Sequence, residues 1–413
     1  MHTTRSSPQR GLTLKKEGGA GQCPKMLFTP GAQEKHASTQ RAQHWAVLSL
    51  VVAATSLTPL AVFANQEPAG LNLGLTSFFD GFGPPKEGFT YQAYLSFANT
   101  SSIYDGHGNK VDAFRDPRIS TFVWVNQLSY FLPQTWFGDA VRPGINFVLP
   151  TVLFDTSFRV PGPVLSDNGI GLGDLTFGPS FQFSPIMVDD HPVFSHRFEV
   201  DLTVPTGRYD PTKNLNQSSN YVSINPYWAA TIMLAKGLEL SVRLHYLFNA
   251  RNDRPTNLPF GVMAQSAQAG QAAWANFAAS YEILETLHIG VSGYYFRQLT
   301  VNKYHLADGT WTDSDRTGEG KEQVLGIGPG LLWDPARAQN MLFANVYFQT
   351  LVQNRASAMV FSLRWLHSFE MCAHDARCQQ VSQKAGFIHE KALSDVGRTG
   401  NGYAPCSLWR RPG

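Results

Sequence analysis

The chain has 413 residues, of which 15% are charged and 12% aromatic, and its formal net charge is +2. That charge is too small to indicate a nucleic-acid partner. After residue 64 no apolar run reaches the 18 or so residues of a membrane-spanning helix, and the many aromatic and β-branched residues exclude a disordered chain.

Residues 1–64 predict an export signal with an extended basic region in front of it. They carry 7 Lys and Arg against 2 Asp and Glu, and an apolar stretch runs from Trp45 to Ala64. Val62 and Ala64 are β-branched or small, as a signal peptidase requires, so cleavage is expected near Ala64. A single membrane anchor is the alternative, which the short stretch and Pro59 disfavour.

Residues 65–87 precede the first predicted strand and are rich in glycine and proline. This composition is unsuited to a strand, yet the segment is too apolar to float free in water. We expect either a plug in the lumen of the barrel predicted below or a short periplasmic lead.

Residues 88–369 show the period-2 alternation of β-strands. Within 238–249, for example, the even positions are apolar while Glu239, Arg243 and His245 stand at odd positions. Twelve segments have this pattern, at about 88–104, 118–131, 142–158, 169–185, 197–210, 220–234, 238–251, 269–284, 287–305, 322–334, 340–354 and 358–369. Most exceed the roughly 5–6 residues of sandwich strands and suit tilted strands that cross a membrane.

The connections between these segments alternate in length. Long polar stretches such as 210–219 and 307–321 alternate with mostly short turns such as 285–286. Outer-membrane barrels have this loop pattern. We therefore predict an all-β fold, a transmembrane antiparallel β-barrel of about 12 strands over 88–369, followed by an irregular tail over 370–413. A soluble β-sandwich is the alternative.

Several short motifs resemble those of an outer-membrane β-barrel family named for the MetA-pathway of phenol degradation. They are NGIGLGDL (168–175), VPTGRYD (204–210) and NYVSINPYWAAT (220–231). The matching residues are Gly171, Gly173, Asp174, Pro205, Thr206, Gly207, Tyr209, Asp210, Asn225 and Trp228. The resemblance covers about residues 70–369. It implies an outer-membrane barrel that helps aromatic or other apolar molecules to cross.

Seven titratable side chains are candidate site residues because they are predicted on the inward strand faces. They are Asp174, Arg197, Glu199, Asp201, Glu239, Arg243 and His245. Enclosed charges are costly unless they are paired or hydrated, so they indicate either a salt-bridged, hydrated interior or a charged constriction. Asp174 either pairs with an inward arginine or lines a passage.

No catalytic residues are predicted. Ser241 and His245 share a strand face but stand about 13 Å apart at ~3.4 Å per residue, which is too far for a hydrogen bond. All four cysteines lie in the end segments, so neither a disulfide scaffold nor a thiolate metal site is expected between 65 and 369. We predict no metal and no cofactor.

Prolines inside predicted strands remove ladder donors, and a closed barrel has no edge on which to place them. They should mark bulges or gaps in the wall. Pro226 and Pro150 are the predicted gaps, Pro205 is expected near the rim, and Pro329 is a further interruption.

The sequence thus predicts an outer-membrane channel or transporter that passes small hydrophobic or aromatic compounds passively. The expected partners are those solutes, outer-membrane lipid and the barrel-assembly machinery. Aromatic residues assigned to the lumen support this function: Tyr94, Trp124, Tyr227, Trp274, Tyr294 and Tyr347. The alternatives are a structural or adhesive outer-membrane barrel and, third, an outer-membrane lipolytic enzyme.

Overall fold

Eighteen strands and one short helix make up the part of the protein that the computed structural model describes, which is residues 72–83, 87–189, 191–235, 237–256, 258, 262–335 and 339–369. The predicted signal, its cut near Ala64, the four cysteines and the tail 370–413 lie outside these residues. The domain boundaries therefore stay predictions.

The strands are short in the loops and long in the barrel wall. Their bounds are β1 Gly88–Tyr104, β2 Arg118–Phe131, β3 Val141–Ser157, β4 Ile170–Leu172, β5 Leu175–Phe183, β6 Ile186–Val188, β7 His191–Val204, β8 Ser223–Ala235, β9 Leu238–Asn249, β10 Arg251–Asn252, β11 Ala264–Gln268, β12 Ala272–Leu284, β13 Leu287–Gln298, β14 Lys303–Leu306, β15 Trp311–Asp313, β16 Gln323–Trp333, β17 Asn340–Gln353 and β18 Arg355–Ser368. The helix α1 spans Ser314–Thr317, with Asp313 as its N-cap. Within the described ranges, no helix is long and apolar enough to cross a membrane.

The wall closes because the first and last strands pair with each other. β1 pairs antiparallel with β18 on one side and with β2 on the other, and pairing continues between neighbours around the whole ring. β4 and β5 are two halves of one broken strand, so the ring has twelve strands. This confirms the predicted twelve-stranded antiparallel barrel.

Alternation along each strand separates a polar interior from an apolar exterior. In β9, Glu239 and Arg243 are buried, whereas Leu240 and Leu244 are 38% and 48% exposed. Apolar side chains on the outside and polar ones inside are the arrangement of a barrel wall in lipid.

Several predicted segments have different bounds in the structure; the one at 287–305, for example, ends at Gln298. The segment at 197–210 begins earlier, at His191, and ends at Val204 because Pro205 cannot continue the ladder. The segment at 169–185 breaks at Gly173 and Asp174. The sequence analysis also missed a four-stranded sheet, β10-β11-β14-β15, that joins two of the long loops.

Closure predicts a simple solution property. Because the strands of the wall pair in one closed ring, the folded barrel should resist detergent and migrate faster on a gel before boiling than after it. We expect the protein to show this shift and to fractionate with outer membranes. Equal mobility before and after boiling, or recovery in the soluble periplasm, would contradict the closed membrane barrel.

Candidate functional site

Residues 72–83 lie inside the barrel, held by inward side chains from opposite walls. The Gly74 N–H donates to Asn276 Oδ1 at 3.0 Å, and Tyr347 Oη donates to the Gly74 carbonyl at 2.8 Å. The Gly81 N–H donates to Thr231 Oγ1 at 2.9 Å, while Ser195 Oγ donates to the Gly81 carbonyl at 2.9 Å. We call residues 72–83 the lumen segment.

Apolar packing also fixes the lumen segment. Phe78 is fully buried in a cluster with Ala278, Leu332 and Phe343. A Cβ on Gly74 would lie 2.6 Å from the Tyr347 ring, and φ at Gly74 is +71°, so this position requires glycine. The segment therefore fits the lumen by shape as well as by hydrogen bonds.

Asp80 of the lumen segment is the centre of a buried ion network. The Asp80 carboxylate accepts two hydrogen bonds from the Arg243 guanidinium, one of them from Nε at 2.7 Å, and lies 3.9 Å from Arg197 Nη2. Arg197 Nε in turn lies 2.6 Å from Glu199, which also accepts a hydrogen bond from Asn146. The network thus joins β3, β7 and β9 of the wall, and its central carboxylate comes from the lumen segment.

Of the remaining predicted lumen charges, Glu239 and His245 have polar partners outside the ion network. Glu239 accepts hydrogen bonds from Ser241 at 2.7 Å and Ser280 at 2.8 Å. His245 Nδ1 lies 3.2 Å from Asn225 Oδ1, and Asp201 Oδ1 has no hydrogen-bond partner among the described residues. These groups form no metal site, and the described residues contain no group of His, Cys, Asp and Glu side chains that could hold a metal ion.

Two important residues escaped the sequence analysis. Asp80 is the single charged residue in residues 72–83, and this signal could have identified it as the partner of the inward arginines. Arg364, on the last strand, lies over the Phe343 ring at 3.8 Å and also escaped notice. The sequence predicts the strand β18, but the neighbouring segments contain no charged residue that would mark Arg364 as a partner.

Asp174 is expected in the lumen, either beside an arginine or lining a passage, and the partners that the structure gives it are backbone and serine groups of the loop after β7. Its carboxylate accepts hydrogen bonds from the Gly207 N–H at 3.0 Å and from Ser219 N–H and Oγ at 2.9 and 3.0 Å. The break between β4 and β5 turns the side chain towards the loop after β7. Asp174 therefore ties two wall segments together at the rim.

The other motif residues complete this joint. A Cβ on Gly207 would lie 2.6 Å from Gly173, so the two glycines permit close contact of the chains. Thr206 Oγ1 accepts from the Leu175 N–H at 2.9 Å, and the Arg208 N–H donates to the Leu172 carbonyl at 2.9 Å. The two sequence motifs are thus two halves of one structural joint.

The lumen aromatics are largely as expected, with one correction. Tyr94, Tyr227, Trp274, Tyr294 and Tyr347 are all buried inside the barrel. Trp124 was assigned to the lumen but is 45% exposed on the outside, whereas Val125 faces inward. Both faces of β2 carry a mixture of apolar and polar residues, so its alternation does not indicate which face is inside.

Two cavities lie along the barrel interior. The outer pocket, at the long-loop end, has a volume of about 120 Å³ and is lined by Tyr209, Tyr221, Phe296, Tyr304 and others. The inner cavity, of about 70 Å³, is bordered by the lumen segment and by Asp201, His245 and Tyr227.

Aromatic rings connect these two spaces. The Phe296 and Trp274 ring centroids are 6.3 Å apart, Trp274 stacks on His245 at 4.2 Å, and His245 lies 4.9 Å from Tyr227. We call these four residues the aromatic ladder. It joins a residue of the outer pocket to a residue of the inner cavity.

Prolines interrupt the hydrogen-bond ladders of the wall. Pairing between β8 and β9 skips Asn225 and Pro226, and pairing between β3 and the broken strand skips Leu149 and Pro150. The same occurs at Pro179 between β5 and β7 and at Pro329 between β16 and β17. Pro150, Asp201 and Asn225, at three of these interruptions, all border the inner cavity.

At the long-loop end, two buried acids hold the loops together. Tyr304 Oη donates to Glu319, and Glu322 lies 3.9 Å from Arg355 Nη1. Burial raises the pKa of Glu319 to about 7, and burial together with the neighbouring Glu319 raises the pKa of Glu322 to about 8.

Comparisons with known proteins place the chain among outer-membrane barrels. The model of the family described as "Putative MetA-pathway of phenol degradation" matches residues 100–365. A search of curated proteins finds no match. The solved structure of the COG4313 outer membrane channel from Pseudomonas putida F1 is 17% identical, with a TM-score of 0.57 over 71% of this chain and 100% of that one.

Two further structures are similar with lower TM-scores. The translocator domain of the autotransporter NalP from Neisseria meningitidis is 10% identical, with a TM-score of 0.38 over 68% of this chain and 88% of that one. The TodX deltaS2S3 mutant monoaromatic hydrocarbon channel is 10% identical, with a TM-score of 0.40 over 70% of this chain and 92% of that one. At these identities the likeness concerns the fold alone.

Replacing Asp80 tests the ion network. Asp80→Asn should destabilise the protein by about 3–5 kcal/mol, because it leaves Arg243 and Arg197 buried with one counter-charge fewer. Thermal unfolding and protease protection of the lumen segment report the loss. The matched control is Asp116→Asn, whose pair with Arg159 at 2.5 Å is exposed and should contribute only about 0–1 kcal/mol. Equal effects of the two substitutions would contradict the network's role.

The two loop acids predict that loop stability falls as pH rises from about 4.5 to about 8. Their folded pKa values lie above the ordinary 4.5, so the folded loops bind more protons than the unfolded chain. Stability should fall as pH rises above about 4.5 and level off once pH exceeds about 8. Hydrogen exchange over 299–322, corrected for intrinsic rates, should accelerate from pH 5 to 9. Glu319→Gln should weaken this dependence, and exchange independent of pH would contradict it.

Proposed function

The chain belongs to the family described as "Putative MetA-pathway of phenol degradation", and on that premise we propose that it is an outer-membrane channel that passes small hydrophobic or aromatic compounds passively. The observation that carries the proposal is the aromatic ladder, which connects the outer pocket to the inner cavity within a closed barrel. Ring faces favour aromatic solutes, because each stacked pair is worth about 0.5–1.5 kcal/mol.

Location in the bacterial outer membrane is part of this proposal. The supporting features are the outward apolar side chains, the even number of strands and the long loops at one end. We propose that the chain is exported by a signal cleaved near Ala64, assembled by the barrel-assembly machinery and surrounded by outer-membrane lipid. The long-loop end then faces the outside of the cell.

The lumen segment closes the channel to ions in this proposal. Its hydrogen bonds reach β7, β8, β12 and β17, so it crosses the interior from wall to wall. A twelve-stranded barrel is too wide for its own side chains to fill, so this segment is what separates a narrow interior from an open pore.

Apolar solutes leave sideways through the wall in this proposal. An apolar molecule that reaches the inner cavity gains about 25 cal/mol per Å² by moving into lipid, whereas the periplasm offers water. Asn225, beside Pro226, and Pro150 border that cavity at positions where ladder bonds are missing. The lateral path therefore needs few broken hydrogen bonds.

The proposal contains no catalytic role. Ser241 is hydrogen-bonded to Glu239 and lies 2.7 Å from Thr231 Oγ1, and the partner of His245 is Asn225. A lipolytic enzyme would need a nucleophile in contact with its base, and this serine and histidine have separate partners.

Deleting 66–86 tests the closure by the lumen segment. We expect higher single-channel conductance from a barrel that still shows the heat-modifiable gel shift. The deletion also removes the counter-charge of Arg243, so Arg243→Met in the deletion background controls for that unpaired charge. Conductance equal to that of the intact protein would contradict a plug.

Restoring the missing ladder donors tests the lateral path. Pro226→Val and Pro150→Val should each slow uptake of toluene several-fold and leave ion conductance unchanged, because they seal the wall without changing the lumen charges. Pro329→Val is the matched control, since Pro329 interrupts a ladder that does not border the inner cavity. If toluene uptake is unaffected by both substitutions, a plain diffusion pore replaces the lateral route.

A further inference from the structure

The outer pocket has the size and the walls of a binding site for one aromatic ring. Its volume is about 120 Å³, and an apolar cavity of roughly 150 Å³ in another protein is large enough to bind benzene. Tyr209, Tyr221, Tyr304 and Phe296 line it, with Leu247. Phe296 is also the first ring of the aromatic ladder.

Most polar groups that line the outer pocket are already bonded to one another or to the backbone. Asn249 Nδ2 donates to the Gly270 carbonyl at 3.0 Å, and Gln268 Nε2 donates to the Asn249 carbonyl at 2.9 Å. Asn302 Oδ1 accepts from the Gly270 N–H and from Gln298 Nε2, both at 2.9 Å. These bonds hold the pocket in shape and leave the ring faces as its principal binding surface.

Glu322 is the exception. Its side chain is 6% exposed and lines the pocket, and its Oε1 has no hydrogen-bond partner among the described residues. Glu322 Oε1 forms an ion pair with Arg355 Nη1 at 3.9 Å, a distance too long for a hydrogen bond. A buried acceptor without a hydrogen-bond donor is destabilising, so a ligand that supplies a donor is favoured there.

We propose that the outer pocket binds a single aromatic ring that carries a hydrogen-bond donor, such as a phenolic hydroxyl, with the donor bonded to Glu322. This inference rests on the proposed function in one respect, because it makes the pocket the first site on the path to the aromatic ladder. A neutral donor is preferred to a cation, because burial and the adjacent Glu319 raise the pKa of Glu322 to about 8 and leave it mostly uncharged at pH 7.

Binding of two matched ligands tests the pocket directly. The probes are 4-fluorophenol and 4-fluoroanisole, which share a ring while only the phenol carries a donor, measured by fluorine NMR with the full-length protein in nanodiscs. Empty nanodiscs correct for partitioning into lipid. We expect the phenol to bind about five- to tenfold more tightly, which is the value of one hydrogen bond.

Three substitutions separate the donor contact from general effects. Glu322→Leu should abolish the preference for the phenol while anisole binding is retained, and Glu322→Gln should keep it because the amide oxygen still accepts. Glu282→Leu, at the opposite end of the barrel, is the control and should change neither affinity. If Glu322→Leu does not fold, the double variant Glu322→Leu/Arg355→Met removes the remaining buried charge and provides the same comparison.

Ala267→Phe fills the pocket from β11 and should weaken both ligands. Equal affinities for the two ligands in the unmodified protein, or an unchanged preference in Glu322→Leu, would overturn the inference. Liposome uptake of phenol is measured separately. Binding with the expected preference but without uptake would leave this site standing and refute the channel, whereas uptake without preference would refute the site alone.

Discussion

The constraint on which the rest of the structure depends is that lipid offers no partner for a backbone N–H or C=O group. The ladder must therefore close on itself, as β1 and β18 do, and closure turns one face of each strand into an enclosed interior. Charged residues on that face lose water. The chain itself compensates for this loss of hydration, since Asp80 brings a carboxylate to Arg243 and Arg197. Sheet closure thus determines the electrostatics of the lumen.

Much of this architecture could be predicted because side-chain alternation repeats in nearly every strand. Glu239, Arg243 and His245 were assigned to the inside from periodicity alone, and the structure places them there. The assignment of Trp124 to the inside is wrong because both faces of β2 mix apolar and polar residues. The contact between Asp80 and β9 could not be predicted from local pattern, since it joins residues 163 positions apart through a segment without regular structure.

The site was less predictable than the fold because its contacts, too, join residues that are distant in sequence through segments without regular structure. Asp174 follows a glycine in a motif, and its strand pattern indicated an inward side chain. The break between β4 and β5 redirected it to Ser219, which belongs to a loop 45 residues later. Likewise, Glu322 and Tyr304 meet at the outer pocket because β10, β11, β14 and β15 form a small sheet within long loops that showed no clear alternation. Loop packing, unlike strand pairing, leaves little periodic signal.

The position of Asp80 in the chain has a consequence for the order of assembly. Asp80 precedes every strand of the residues that the structure describes, and its segment leads after a few residues into β1, the strand that must join β18 to close the ring. A ring that closed around an empty centre would bury the Arg243 guanidinium without its counter-ion Asp80, which costs several kcal/mol, and would leave Arg197 with Glu199 alone. Docking of the segment and formation of the final seam are therefore energetically linked steps of biogenesis. Docking of the segment before the seam closes, while water still reaches the arginines, would avoid this cost.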